Sequence, residues 1–126
     1  MTTQPLTLTE QRCSHGSSGP VFGFLAQWTL VNGDDGEVTS ANLIPWLDRT
    51  FQVDGTFAGA TVVIEGSNDG VNYYTLTDPQ GVPLSFTSAD IKQVLEVVMG
   101  MRPRVSGGTG ATAINVTGFF RRTFQT

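Results

Sequence analysis

Residues 50–70 read Thr50-Phe51-Gln52-Val53-Asp54-Gly55-Thr56-Phe57-Ala58-Gly59-Ala60-Thr61-Val62-Val63-Ile64-Glu65-Gly66-Ser67-Asn68-Asp69-Gly70. Thr50 to Phe57 and Ala60 to Gly66 are expected as two strands joined through Ala58-Gly59. Val62, Val63 and Ile64 are consecutive, so the second strand is expected to be covered on both faces. Ser67-Asn68-Asp69-Gly70 is a strong turn signal, and Val71 to Thr77 reads as the next strand.

The same alternation of strand and turn extends in both directions. Upstream, 22–31 alternates Phe22, Phe24, Ala26 and Trp28 with Gly23, Leu25, Gln27 and Thr29. Asn32-Gly33-Asp34-Asp35-Gly36 then turns the chain. Pro45 makes 43–47 an edge strand or a connector. Downstream, Asp78-Pro79-Gln80-Gly81 is a turn. Ser88 is placed to cap one short helix, because Ile91, Val94, Leu95 and Val98 fall at helical spacing, while beyond Leu95 the β-branched Val97 and Val98 suggest a return to extended chain. Strands are expected again at 101–106, with Pro103 at an edge, and at 112–123. The fold expected is an all-β antiparallel sandwich, jelly-roll-like, occupying 21–126. Residues 1–20 are polar, rich in Thr, Ser, Gln and Gly, and expected as an extended N-terminal arm. Such an arm needs a holder, either a neighbouring subunit or its own domain.

Composition agrees with this class. The chain has 126 residues, of which 15 are Gly and 14% are charged. That charge content is well below the ~25% usual for soluble domains, and it suggests a surface partly covered by partners. The net charge of −4 does not favour a nucleic-acid binder. Six of the seven cations are Arg, the better interface residue; Lys92 is the single Lys. No apolar run reaches the ~18 residues of a membrane span. The start of the chain is polar and uncharged up to Glu10, unlike a secretory leader, so a soluble protein made in a cytoplasm is expected.

Residues able to do chemistry are sparse. Cys13 stands alone, and His15 lies in the arm between small residues, so neither a triad nor a zinc site is expected. Asp34, Asp35 and Glu37 could offer oxygens to calcium, as could Asn68, Asp69 and Asn72. Asx-Gly turns account for both sets without a metal. Glu65 is readable as a buried general acid or, more simply, as a solvated strand carboxylate. The glycine run 106–110 lacks the Lys of a phosphate loop and reads as a turn. Neither a cofactor nor a catalytic centre is expected. The aromatic and arginine placement is more informative. Phe119, Phe120, Arg121, Arg122 and Phe124 load both faces of one strand, and Arg102 and Arg104 share a face of another. These seven are the expected protein interface, with Arg102 and Arg104 set against the Asp34-Asp35-Glu37 loop of a neighbouring copy.

The stretch Ile64-Glu65-Gly66-Ser67-Asn68-Asp69-Gly70-Val71-Asn72-Tyr73-Tyr74-Thr75-Leu76 resembles a segment of small virion proteins of tailed bacteriophages. Met101-Arg102-Pro103-Arg104-Val105 running into Ser106-Gly107-Gly108-Thr109-Gly110 fits the same family, so the likeness spans about residues 50 to 120. The family is that of jelly-roll-like capsid decoration, or cement, proteins. The resemblance implies a dimer or trimer that binds the major capsid protein on the outside of the shell, made in the bacterial host cytoplasm and working without catalysis. A tail or head–tail connector protein of the same virion is an alternative. The Ser-Asn-Asp-Gly turn is also similar to one in discoidin-like galactose-binding sandwiches. A carbohydrate-binding module would need an exposed aromatic platform, for which Tyr73, Tyr74 and Trp46 are the candidates.

Overall fold

The computed structural model describes residues 2–12, 20–39 and 43–121. The chain is a two-sheet β-sandwich, and the stretch at 50–70 bridges its two layers. Its strands form at Asp48–Thr56 (β5) and Ala60–Ser67 (β6), in different sheets. The turn between them, closed by the Ala60 N–H on the Phe57 carbonyl (2.9 Å), carries the chain across the core.

One sheet has five strands in the order β2-β3-β11-β5-β9, all antiparallel. Here β2 is Thr7–Arg12, β3 Val21–Leu30, β9 Asp90–Gln93 and β11 Ala113–Arg121. The other runs β1-β4-β10-β6, with β7 and β8 both pairing along the far side of β6. In it β1 is Thr3–Gln4, β4 Asp35–Gly36, β7 Tyr74–Thr75, β8 Ser85–Phe86 and β10 Gly100–Gly107. Only the two-residue β1–β4 pairing is parallel among the paired strands.

Alternating residues of both sheets meet in one core that includes Trp28, Phe51, Ile64, Leu84, Met101 and Phe120. Trp28 stacks on Phe51 at 6.1 Å between ring centroids, and Phe51 meets Phe120 edge-on at 5.8 Å. The indole N–H of Trp28 donates to the Glu37 carbonyl (3.0 Å). Gly36 makes this approach feasible, since a Cβ there would lie 2.6 Å from the indole.

One open alternative is decided and two expectations are corrected. First, the described part of the expected arm is woven into both sheets. Thr3 and Gln4 pair with Asp35 and Gly36, and Thr7 to Arg12 pair along β3. Asp34 clamps the start of the chain, accepting from the Val31 N–H (3.0 Å), the Gln4 amide (2.9 Å) and the Thr2 N–H (3.3 Å). Its own domain therefore holds residues 2–12; residues 13–19, with Cys13 and His15, lie outside the described residues. Second, Pro103 is on an interior strand. Residues of its parity face β4, where the Val105 N–H meets the Asp34 carbonyl; β4 registers with β10 only at Arg104, so no donor is required at 103.

Third, the helix expected after Ser88 is a strand. A helix would place Ile91, Val94, Leu95 and Val98 on one face. Instead the chain is extended and alternates by twos. Val94 is buried and Val98 packs on the core, while Ile91 and Leu95 face solvent. The open edge of β5 supplied a four-residue ladder for Asp90–Gln93, and that pairing prevailed over a weak helical pattern.

Residues 94–99 continue β9 as a strap across the open side of the sandwich. Val94 N–H donates to the Arg49 carbonyl (3.0 Å), Leu95 N–H to the Thr77 carbonyl (2.9 Å), and Met99 N–H to Asn68 Oδ1 (3.0 Å). Arg49 itself is buried, 2% exposed, and its guanidinium donates to the carbonyls of Trp46 (3.0 Å), Ile44 (3.2 Å) and Glu96 (3.2 Å). Burial pulls its pKa below the ordinary arginine value. Replacing Arg49 by Leu removes the side-chain donors from three part-buried carbonyls. Urea unfolding of Arg49→Leu is expected to show a loss of about 3 kcal/mol, and a loss under about 1 kcal/mol would show that the strap is held by other contacts.

Candidate functional site

The outer face of the six-stranded sheet is organised by Glu65. It stands on β6 opposite Arg102 of β10, is 4% exposed, and receives the Nε–H of Arg102 (2.9 Å) and of Arg104 (3.2 Å) on its two oxygens. Arg102 also meets Asp35 of the same chain at 3.4 Å, and its guanidinium lies 3.8 Å over the Tyr73 ring. The expected pairing of these arginines with a neighbour's acidic loop is thus replaced by pairing within one chain. The solvated reading of Glu65 is overturned too, and so is a role as a free acid, since both oxygens are committed to arginine.

Next to this network the Ser67–Asn72 turn forms a rigid ridge. Asp69 Oδ1 accepts from the Ser67 hydroxyl (2.9 Å), the Val71 N–H (2.8 Å) and the Asn72 N–H (2.8 Å), and Oδ2 accepts from the Asn72 amide (2.8 Å). The Asn72 N–H, then the Val71 N–H, the Asn72 amide and the Ser67 hydroxyl hold the Asp69 carboxyl well below the usual carboxylate range. Clefts flank the ridge. One, of 380 Å³, is lined by Gly66, Asn72, Tyr74, Leu76, Glu96 and Val98 among others; another, of 320 Å³, lies beside Thr39, Tyr73 and Met99. Glu96 binds Thr77 through both oxygens, to the N–H (2.8 Å) and the hydroxyl (2.5 Å). Burial pushes its carboxyl up, and these bonds outweigh it to leave a net lowering. The carboxylates of both calcium candidates receive protein donors, as the bonds to Asp34, Asp35, Glu37 and Asp69 show. No group of three or more His, Cys, Asp or Glu suited to a metal occurs among the described residues.

The opposite face belongs to the five-stranded sheet. Phe119 points outward and packs edge-on against Phe22 at 6.4 Å. The register shift between Gln11 and Arg12 lies opposite Phe22, which the ladder skips in passing from Gly23 to Val21. Arg121 pairs with Asp48 (2.8 Å) beside a cleft of 290 Å³ lined by Thr50, Gln93 and Phe119. Phe120, by contrast, is 1% exposed and belongs to the core. The expected interface is therefore divided. Arg102 and Arg104 lie on one outer face, Phe119 and Arg121 on the other, and Phe120 between them; Arg122 and Phe124 lie outside the described residues.

The strap region supplies what the sequence reading missed. Ile91, Leu95, Val97 and Met99 are 57%, 54%, 55% and 51% exposed, all on the outward parity of one extended segment. Lys92 has the opposite parity. It registers with buried Phe51 and reaches 5.6 Å from the ring of buried Phe86, so the edge strand carries an inward-pointing charge. Such a charge discourages another strand from adding to that edge. The signal was present as the two-residue spacing of 95, 97 and 99, with 91 on the same parity, which the helical reading obscured.

No protein-family model matches the sequence, and no curated protein does. Among solved structures, the crystal structure of Peruvianin-I, a cysteine peptidase from Thevetia peruviana latex, aligns over 94% of this chain and 63% of its own, with 16% identity and a TM-score of 0.45. This chain thus spans less than two thirds of that protein, and so distant a likeness carries no inference about activity. No described helix is long and apolar enough to cross a membrane.

Two measurements check the ridge and the charge network. A carboxyl with a lowered folded value stabilises fully above its unfolded pKa of about 4 and progressively less as pH falls below it. Amide exchange at Val71 and Asn72, corrected for its intrinsic pH dependence, is therefore expected to lose protection on acidification below about pH 4, and an Asp69→Ala chain to lack that protection at neutral pH. Glu65→Ala leaves two arginines on one face without their shared acceptor. A stability loss of about 3 kcal/mol is expected by chemical denaturation, and a loss close to zero would place the pair in solvent.

Proposed function

We propose that this protein is a structural component of a bacteriophage virion, a capsid decoration protein that binds the outer face of the shell and bridges capsid subunits. The observation that carries the reading is the outward row of Ile91, Leu95, Val97 and Met99 along β9 and the strap. Four apolar side chains aligned on one extended segment are costly to leave in water and form the kind of patch that marks an interaction surface. The resemblance of residues 64–76 and 101–110 to virion proteins supports the choice of partner. Cross-bracing of the sandwich supports the mechanical role, since a part that glues other parts must itself deform little. Residues 3–12 join both sheets, and Arg49 locks the strap to the core.

In this reading the protein works by added contact area and not by turnover. Each copy covers the apolar row against the major capsid protein or a neighbouring copy in a dimer or trimer. Repetition over the shell turns modest contacts into avidity. Leu95 and Val97 are exposed, so replacing both by Asp is expected to leave folding within about 0.5 kcal/mol per site. Co-sedimentation of the double variant with undecorated shells is expected to fail where the unaltered chain binds. Shells carrying the unaltered chain should resist heating better than bare ones; identical melting of the two would sink the cement role.

A further inference from the structure

We propose that the 380 Å³ cleft between the Ser67–Asn72 turn, β7 and the strap binds a neutral sugar, with Tyr74 as its stacking platform. Of the three aromatics able to serve, two are already engaged. Trp46 packs edge-on against Phe24 at 4.8 Å, and the Arg102 guanidinium covers Tyr73. Tyr74 is 72% exposed and lines the cleft. It stands opposite Gly66 in the ladder, and so on the same face as that residue, beyond the rim of the core.

The cleft has the composition a sugar requires. Its floor is Leu76, Val98 and Gly66, and a Cβ on Gly66 would lie 2.7 Å from Val98, so glycine keeps this packing close. Its rim carries Asn68, Asp69, Asn72, Thr75 and Glu96. A carboxylate offers about four lone-pair sites. Glu96 accepts one bond per oxygen from Thr77 and a further one from its own N–H, and Asp69 Oδ2 takes a single donor, so acceptors remain for sugar hydroxyls. The ridge is already fixed by its own hydrogen bonds, which lowers the ordering cost of binding. The volume suits one or two sugar rings. Among the described residues two carboxylates and no Lys or Arg line the cleft, so it discriminates against acidic sugars by repulsion. This inference does not rest on the virion reading, and either stands if the other fails.

The test uses the whole chain and two presentations of the ligand. Lactose, maltose and cellobiose are titrated free in solution by NMR, and neutral galactan and dextran are offered as immobilised polymers. The expected result is a saturable shift of the Asn72 and Thr75 amides with a free sugar, retention on an immobilised polymer, or both, weakened about tenfold or more in Tyr74→Ala and kept in Tyr74→Trp. Retention on polymer alone supports the site and assigns it to surface glycans. Amide spectra of the exposed-site variants report that the fold is intact. The proposal is overturned by any of three outcomes: no shift or retention up to about 20 mM, binding unchanged in Tyr74→Ala, or sialyllactose bound as well as lactose.

Discussion

Arg49 carries a positive charge into the sandwich, and three main-chain carbonyls converge to receive it. Such a group is tolerated inside only when its donors are satisfied, so the carbonyls of Ile44, Trp46 and Glu96 cannot drift apart without a large penalty. Two of those carbonyls belong to the connector before β5 and one to the strap. A single side chain therefore sets the distance between the ends of two segments that lack sheet pairing of their own. The positions of Glu96 and Val98, hence the shape of the sugar cleft, follow from it. So does the outward display of Leu95, Val97 and Met99.

The two outer faces solve the problem of surface polarity differently. On the six-stranded sheet, Glu65 and Asp35 balance Arg102 and Arg104 within the chain. That face offers a partner little net charge to steer by. On the five-stranded sheet, Phe22 and Phe119 lie together and half-buried, and Lys92 is turned inward at the edge. An inward lysine opposes strand addition at β9 but leaves the outward side chains untouched. A partner on this side would then be met by side-chain packing on the strap and not by extension of the sheet.

Much of the sandwich was legible in the sequence because its signals are local. The strands at β3, β5, β6, β10 and β11 follow from alternation and turn residues, and the Asp69 turn from Ser-Asn-Asp-Gly. What was not legible depends on partners distant in the chain. Residues 91–98 have apolar spacings compatible with a helix, and the free edge of β5, some 40 residues earlier, makes Asp90–Gln93 a strand. Thr3 and Gln4 look like a polar arm until Asp35 and Gly36 pair with them. Glu65 reads as solvated until two arginines of β10 are placed beside it. Phe119 and Phe120 are adjacent in sequence, and the register of β11 against β3 and β5 decides which of them faces water. The expected interface is divided between two faces and the core for that reason. Residue type marked the strand, but parity, set by the ladder, sorted its side chains.

Parity also bears on whether the two proposed uses of the strap can coexist. From Lys92 to Met99 even-numbered residues face inward and odd-numbered ones outward. Glu96 and Val98 line the cleft, whereas Leu95, Val97 and Met99 form the row on the other side of the same backbone. A protein seated on the row and a sugar in the cleft would touch alternate side chains and would not compete for any atom. Anchors at the Arg49 carbonyl, the Thr77 carbonyl and Asn68 keep that backbone from rotating about its own axis. Insertion of one residue within the strap would invert the parity downstream, sending apolar side chains into the cleft and the carboxylate to the partner face. Both uses thus depend on one constraint, the period of two imposed on a segment whose isolated sequence has helical spacing.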